Sequence, residues 1–87
     1  MKQLYLIQDE ATGLSKIGIS SDPSRRAKQV GVDSKVIAIF KEAYLEKRLH
    51  RFFSEKHIKG EWFENIDTEE IEKAISYIEP TNNIKIS

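Results

Sequence analysis

The sequence predicts an α+β domain: a small three-stranded antiparallel sheet flanked by helices, in the order β-β-α-β-α, with one extra helix at the C-terminal end. Three observations predict it. Two short apolar stretches near the N-terminus are separated only by a polar turn containing Gly13, which makes them a hairpin. A third run, Val36-Ile37-Ala38-Ile39-Phe40, is almost wholly apolar and β-branched. Apolar residues then recur at helical spacing in two later segments: Leu45, Leu49, Phe52 and Phe53 in one, Ile71, Ala74, Ile75 and Ile78 in the other.

Residues 2–8 alternate Leu4 and Leu6 with Tyr5 and Ile7, so this strand is expected to be buried on both faces or central in its sheet. Residues 9–13 form a polar turn in which Gly13 is free to take a positive φ. Residues 14–20 carry Ile17 and Ile19 on one side and Lys16 and Gly18 on the other. Lacking a Cβ, Gly18 leaves that face open to close approach by a backbone or a ligand. Asp22 and Pro23 are the N-cap and first residue of a short basic helix over 24–30, and Gly31 suits a left-handed C-terminal cap. Val36 to Phe40 reads as the most deeply buried strand. The main helix is expected over roughly 42–57, broken at Lys59-Gly60, after which Trp62 and Phe63 return toward the core. Asp67-Thr68-Glu69-Glu70 opens the last helix with acids in its first turn, and Pro80 ends it.

At 87 residues the chain is read as one domain over 1–80 and a loose tail over 81–87. The absence of cysteine excludes disulfides and thiolate zinc sites. No long apolar window and no signal-peptide pattern is present, so the expectation is a cytoplasmic protein without a membrane partner. The formal net charge is zero, which taken alone argues against a nucleic-acid partner. The distribution argues the other way. Residues 16–59 hold eleven Lys/Arg against five Asp/Glu, and residues 60–80 hold seven acids against Lys73. Such segregation gives a basic surface and an acidic cap, or two amphipathic elements with oppositely charged solvent sides.

On the main helix Glu46 and His50 stand four residues apart, on the shoulder of the apolar stripe, at the seam between core and solvent. Taken alone, the pair fits a half-buried hydrogen bond as well as the wall of a site. Other segments supply matching pieces. The LYLI strand, KIG in the second strand, an arginine eight residues after that glycine, LEKRLHRFF and then GEWF resemble the GIY-YIG nuclease superfamily. They are most similar to its branch of small phage and bacterial open reading frames. The resemblance covers about residues 4–63, and its order and spacing carry it more than any single piece.

The resemblance implies roles position by position. Tyr5 matches the tyrosine of the first family motif and Gly18 the glycine of the second. Arg26 matches the phosphate-binding arginine, and Glu46 the carboxylate that holds a divalent metal. His50 and the segment containing Glu61 and Trp62 belong to the branch's own pattern. Two positions depart from it: Lys16 replaces the tyrosine of the second motif, and Val30 stands where some relatives carry a histidine. Asn65 gives no firm match to the family's late asparagine. Trp62 and Phe63 are expected to pack and pin the loop, with Gly18 a structural part of the site. His57 is expected to be structural, and Tyr44 is given no role.

These residue types suit phosphodiester hydrolysis, which needs a base near the attacking oxygen, charge on the phosphoryl oxygens and help for the leaving alkoxide. A single Mg²⁺ (or Mn²⁺) on Glu46 suits the last of these, with no organic cofactor. Arg26 can offer two parallel donors to a phosphate. Tyr5 can orient or deprotonate the water if a cation lowers its pKa from about 10. Lys16 is that cation or, if desolvated, the base itself. His50 is a proton shuttle or a support for Glu46. The expected function is a metal-dependent DNA endonuclease reading DNA through phosphates, with Arg25, Lys28 and Arg51 as further nucleic-acid contacts. The alternatives are a nucleic-acid-binding module without catalysis, motivated by Lys16, and a protein-interaction domain using the acidic last helix.

Overall fold

A computed structural model describes residues 1–79, so the expected tail at 81–87 lies outside the described residues. β1 (Gln3–Asp9) and β2 (Ser15–Ser20) form the antiparallel hairpin, with Tyr5 opposite Gly18 and Ile7 opposite Lys16. In its turn Gly13 takes φ 76, and the Asp9 carboxylate accepts hydrogen bonds from the Ala11 N–H and the Thr12 hydroxyl. β1 is an interior strand, as its two-sided apolar pattern requires: Leu4, Tyr5, Leu6 and Ile7 are each at most 1% exposed.

α1 (Pro23–Val30) starts as predicted, with the Asp22 side chain accepting from the Arg25 N–H and Pro23 at the first position. Its end differs. Gly31 has φ 163, extended rather than left-handed, and closes the helix by donating its N–H to the Ala27 carbonyl.

The expectation for the third strand is corrected. β3 (Ser34–Phe40) is an edge strand, paired only with β1, and Ile37 and Ile39 are 44% and 45% exposed. A β-branched run reports strand propensity, not position in the sheet. Both faces of β3 are only partly covered, Val36 packing on the α1 side and Ala38 and Phe40 against the other core. The register shifts here as well: Leu6 pairs with Ala38 and Ile7 with Val36, leaving Ile37 as the extra residue of a bulge.

The main helix is shorter than predicted. A 3-10 turn (Ala43–Leu45) leads into α2 (Glu46–Phe52), and a second 3-10 turn (Ser54–Lys56) replaces the expected last turn. The chain leaves the helix because its next residues pair elsewhere. β4 (His57–Lys59) and β5 (Trp62–Phe63) form a small hairpin around Gly60, whose φ is 57. β5 then adds to β2, giving one five-stranded sheet in the order β3-β1-β2-β5-β4 instead of three strands.

α3 (Thr68–Ile78) begins with a complete capping box: Asp67 accepts from the Glu70 N–H, and Glu70 accepts from the Asp67 N–H. Helices lie on both sides of the sheet. Leu4, Leu6 and Ile17 face Leu45, Leu49, Phe63, Ile71 and Ala74, while Tyr5 and Ile7 face Ala27. Tyr44, given no role by the sequence, donates its hydroxyl proton to Glu79 and ties the start of α2 to the end of α3.

The capping box makes α3 sensitive to acid. The Asp67 backbone donor and then the Lys56 ammonium hold the Glu70 carboxyl below its usual range. Its stabilising contribution is therefore present above the ordinary glutamate pKa of about 4.3 and is lost as pH falls through the lower native value. Asp67→Ala should cost about 1 kcal/mol in urea unfolding at neutral pH. An unchanged midpoint would show that the cap is dispensable.

Candidate functional site

The cross-strand pair Tyr5–Gly18 starts the site. A Cβ built on Gly18 would collide with the Tyr5 hydroxyl and stand 2.7 Å from Glu61 Oε1. The face that Gly18 leaves open is therefore filled by the chain's own side chains, a phenol from β1 and a carboxylate from the β4–β5 turn. Gly18→Ala should displace the buried Tyr5 ring and cost about 1–3 kcal/mol, checked by the unfolding midpoint and the near-ultraviolet tyrosine signal. An alanine variant with wild-type stability and signal would mean that Tyr5 has room to move.

Tyr5 is 1% exposed, and its hydroxyl is the one buried side-chain polar atom among the described residues that makes no hydrogen bond. Burial, followed by the nearby Glu61 carboxylate, pushes its pKa above the ordinary phenol value, while the Arg26 guanidinium opposes the rise. The lowered value that would make Tyr5 a ready base is not what its surroundings produce. At neutral pH Tyr5 is a neutral phenol, a donor aimed into the site.

Lys16 projects from β2 on the same face. Its ammonium lies 3.1 Å from Glu61 Oε1 and 5.4 Å from the centre of the Trp62 ring. Both are partners that a charged ammonium takes. Trp62 is half-buried beneath Lys16, whereas its neighbour Phe63 is fully buried on the opposite face of the sheet.

Glu46 opens α2 and is mostly buried, its side chain 17% exposed. Burial first, then the neighbouring Glu61 carboxyl, raises its carboxyl above the usual carboxylate range. His50, one turn later, brings its Nε2 to 2.8 Å from the Ile17 carbonyl and sets its ring edge-on to Phe63. A carbonyl only accepts, so Nε2 carries a proton. The same nitrogen is 3.9 Å from Glu46 Oε2, an ion-pair distance beyond hydrogen-bonding reach. His50 thus pins α2 to β2 and fixes the place of Glu46; this geometry fits a support better than a proton shuttle.

Arg26 is half-buried on α1 and makes no ion pair among the described residues. It borders a polar cleft of about 180 Å³ with Ser20, Ser21, Asp22, Arg25 and Gln29. Glu61 brings Lys16, Gly18 and the Tyr5 hydroxyl together, with Trp62 beside Lys16 and Glu46 near Glu61. His50 meets β2 at Ile17, and Arg26 acts on Tyr5 from α1, with Arg25 beside it in the polar cleft. Lys28 and Arg51 are exposed and join none of these contacts. His57 is structural, its Nε2 2.8 Å from the Gly60 carbonyl and its ring against Phe63.

Glu61 is the member that sequence reasoning did not single out. It touches Lys16, raises the pKa of both Glu46 and Tyr5, and abuts Gly18. Its only signal in the sequence was its place in GEWF, where the flanking aromatics drew attention to packing.

The T5orf172 domain family profile matches residues 2–79. The chain belongs to the T5orf172 domain family. This is a GIY-YIG-like family associated with phage nucleases, and membership is consistent with a nucleic-acid-related function. The T5orf172 match runs beyond the expected 4–63 and takes in α3, which is therefore part of the family unit rather than an addition to it. No curated protein and no solved structure matches the chain. Among the described residues no helix is long and apolar enough to cross a membrane.

The donor set bears on whether a divalent cation fits. Among the described residues no three His, Asp or Glu side chains are grouped to hold a metal, so an all-protein cage is excluded there. Magnesium asks for less, usually one or two carboxylates with several retained waters. Glu46, a mostly buried carboxylate beside an unpartnered phenol, would meet that minimum, whereas Glu61 is engaged by Lys16.

Proposed function

We propose that this chain is a metal-dependent DNA endonuclease that hydrolyses phosphodiester bonds with one divalent cation, Mg²⁺ or Mn²⁺. The observation that carries the reading is the grouping of two cations, Lys16 and Arg26, with a mostly buried Glu46 around the unpartnered Tyr5 hydroxyl. Arg26 takes the phosphate by two parallel N–H donors, and the Lys16 ammonium adds charge from the sheet side. The cation, held by Glu46, would stabilise the leaving alkoxide and acidify a bound water. Tyr5 acts as a donor that orients the attacked phosphate or the water. His50 keeps Glu46 in register with β2, and Gly18 keeps the Tyr5 path open. Arg25 contacts a flanking phosphate, with Lys28 and Arg51 as peripheral charges.

The test is nicking of supercoiled plasmid by purified protein with Mg²⁺ or Mn²⁺, against an EDTA control. Intact plasmid over a broad range of pH and protein concentration would end this reading. One observation favours a second: the raised Tyr5 pKa, together with Lys16 in place of a tyrosine, argues against a tyrosine base. A DNA-binding module without catalysis is then the alternative, recognised by salt-sensitive binding with no cleavage. A protein partner for the last helix would meet Glu69 and Glu72, which are exposed, whereas Glu70 is engaged by Lys56 and the cap.

A further inference from the structure

We propose that Glu61 is the positioning residue for the Lys16 ammonium, so that the two act on a bound phosphate as one unit. This rests on the nucleic-acid reading above and extends it to a residue that reading does not use.

A lysine side chain is a point charge on a flexible four-carbon stem, and without fixed partners its head samples a wide volume. Lys16 has lost that freedom. Its side chain is only 15% exposed, its ammonium is 3.1 Å from Glu61 Oε1, and the Trp62 ring lies beneath it. A charge so far removed from water needs a partner, and among the described residues Glu61 is the one carboxylate in ion-pair reach. Glu61 is itself held firmly. Its carbonyl accepts from the Ile17 N–H at 3.1 Å, one residue along β2 from Lys16, and the turn at Gly60 is fixed by His57. Backbone and side chain of Glu61 therefore grip two successive residues of β2.

The ion pair also lies where it matters. Glu61 Oε1 stands against Gly18, where the Tyr5 hydroxyl arrives, so the ammonium is held at the wall of the site. An ammonium has three donors, and one carboxylate oxygen leaves two for an anionic phosphoryl oxygen. The arrangement has an electrostatic consequence. The Glu61 charge repels the incoming phosphate while aiming the cation that activates it. Positioning is thus gained against ground-state affinity.

The test combines Glu61→Gln, Lys16→Ala and the double variant, each checked for wild-type circular dichroism. Glu61→Gln should lower the KM for plasmid a few-fold and lower kcat by about tenfold, tighter binding with slower turnover, a combination that a merely structural defect does not produce. Glu61→Asp, which keeps the charge, should restore part of kcat. In the double variant kcat should be no lower than with Lys16→Ala alone. Binding of a duplex oligonucleotide without metal gives a second readout that does not depend on cleavage. There, the effect of Glu61→Gln on Kd should differ at least about threefold between the presence and absence of Lys16. Effects that multiply independently in the binding cycle, or unchanged kcat and KM in an active protein, would overturn the proposal. If no form cuts plasmid, the nuclease reading fails and the binding cycle alone decides the role of Glu61.

Discussion

Glu46→Gln should abolish plasmid nicking and at the same time raise the melting temperature. The Glu46 carboxyl is pushed up by burial and by the adjoining Glu61, so its ionised form is less favourable in the native protein than in the unfolded chain. For a carboxyl with a raised native pKa, the stability penalty is absent below the unfolded value and grows as pH rises through the native one. Glutamine has nearly the same shape and no charge to lose, which removes the penalty at neutral pH. Its loss as a cation ligand should reduce nicking by at least about a hundredfold. Mg²⁺ binding only the native state should also raise the wild-type melting temperature and leave that of the variant unmoved. Differential scanning fluorimetry in EDTA and in Mg²⁺, beside the nicking assay, reads both effects. A variant that melts lower than wild type would instead make Glu46 a structural residue.

The opposing effects at Glu46 show where sequence reasoning reached and where it stopped. Local signals were legible: the Gly13 turn, the Asp22 and Asp67 caps and the two-sided apolar pattern of β1 each dictate structure within a few residues. Position within the sheet was not legible. Val36 to Phe40 has the composition of a buried strand, yet its place at the edge follows from β2 taking the other side of β1, a non-local choice. β4 and β5 are three and two residues long, too short for any period, and of the expected main helix β4 takes only His57, the rest of its last turn being the 3-10 turn Ser54–Lys56. The site divided in the same way. Helical spacing brought Glu46 and His50 together in advance, but the Lys16–Glu61 contact spans 45 positions of sequence and needs the added hairpin. The direction of the Tyr5 pKa was equally hidden, because it depends on burial and Glu61 outweighing Arg26.

Arg26 is the second residue whose loss should be severe, and the conservative change should fail with it. Its place is set by α1: the Arg26 N–H donates to the Asp22 carbonyl at 3.0 Å, inside the first turn that Asp22 caps. The guanidinium has no carboxylate partner among the described residues, borders the polar cleft with Arg25, and works against the rise of the Tyr5 pKa. Arg26→Ala removes phosphate charge and leaves Tyr5 a still weaker acid, so kcat/KM should fall by about 10²–10³. Arg26→Lys restores a positive charge but not the planar fork, and should recover less than about a tenth of the lost activity. Arg25→Ala is the control from the same helix. It should weaken DNA binding and reduce the salt dependence by about one phosphate contact, with kcat little changed. If Arg26→Lys cuts within a few-fold of wild type, two-pronged contact with the phosphate is not what Arg26 supplies, and simple charge suffices. If Arg25→Ala proves as damaging to kcat as Arg26→Ala, the cleft beside α1 belongs to the reacting phosphate and not to its neighbour.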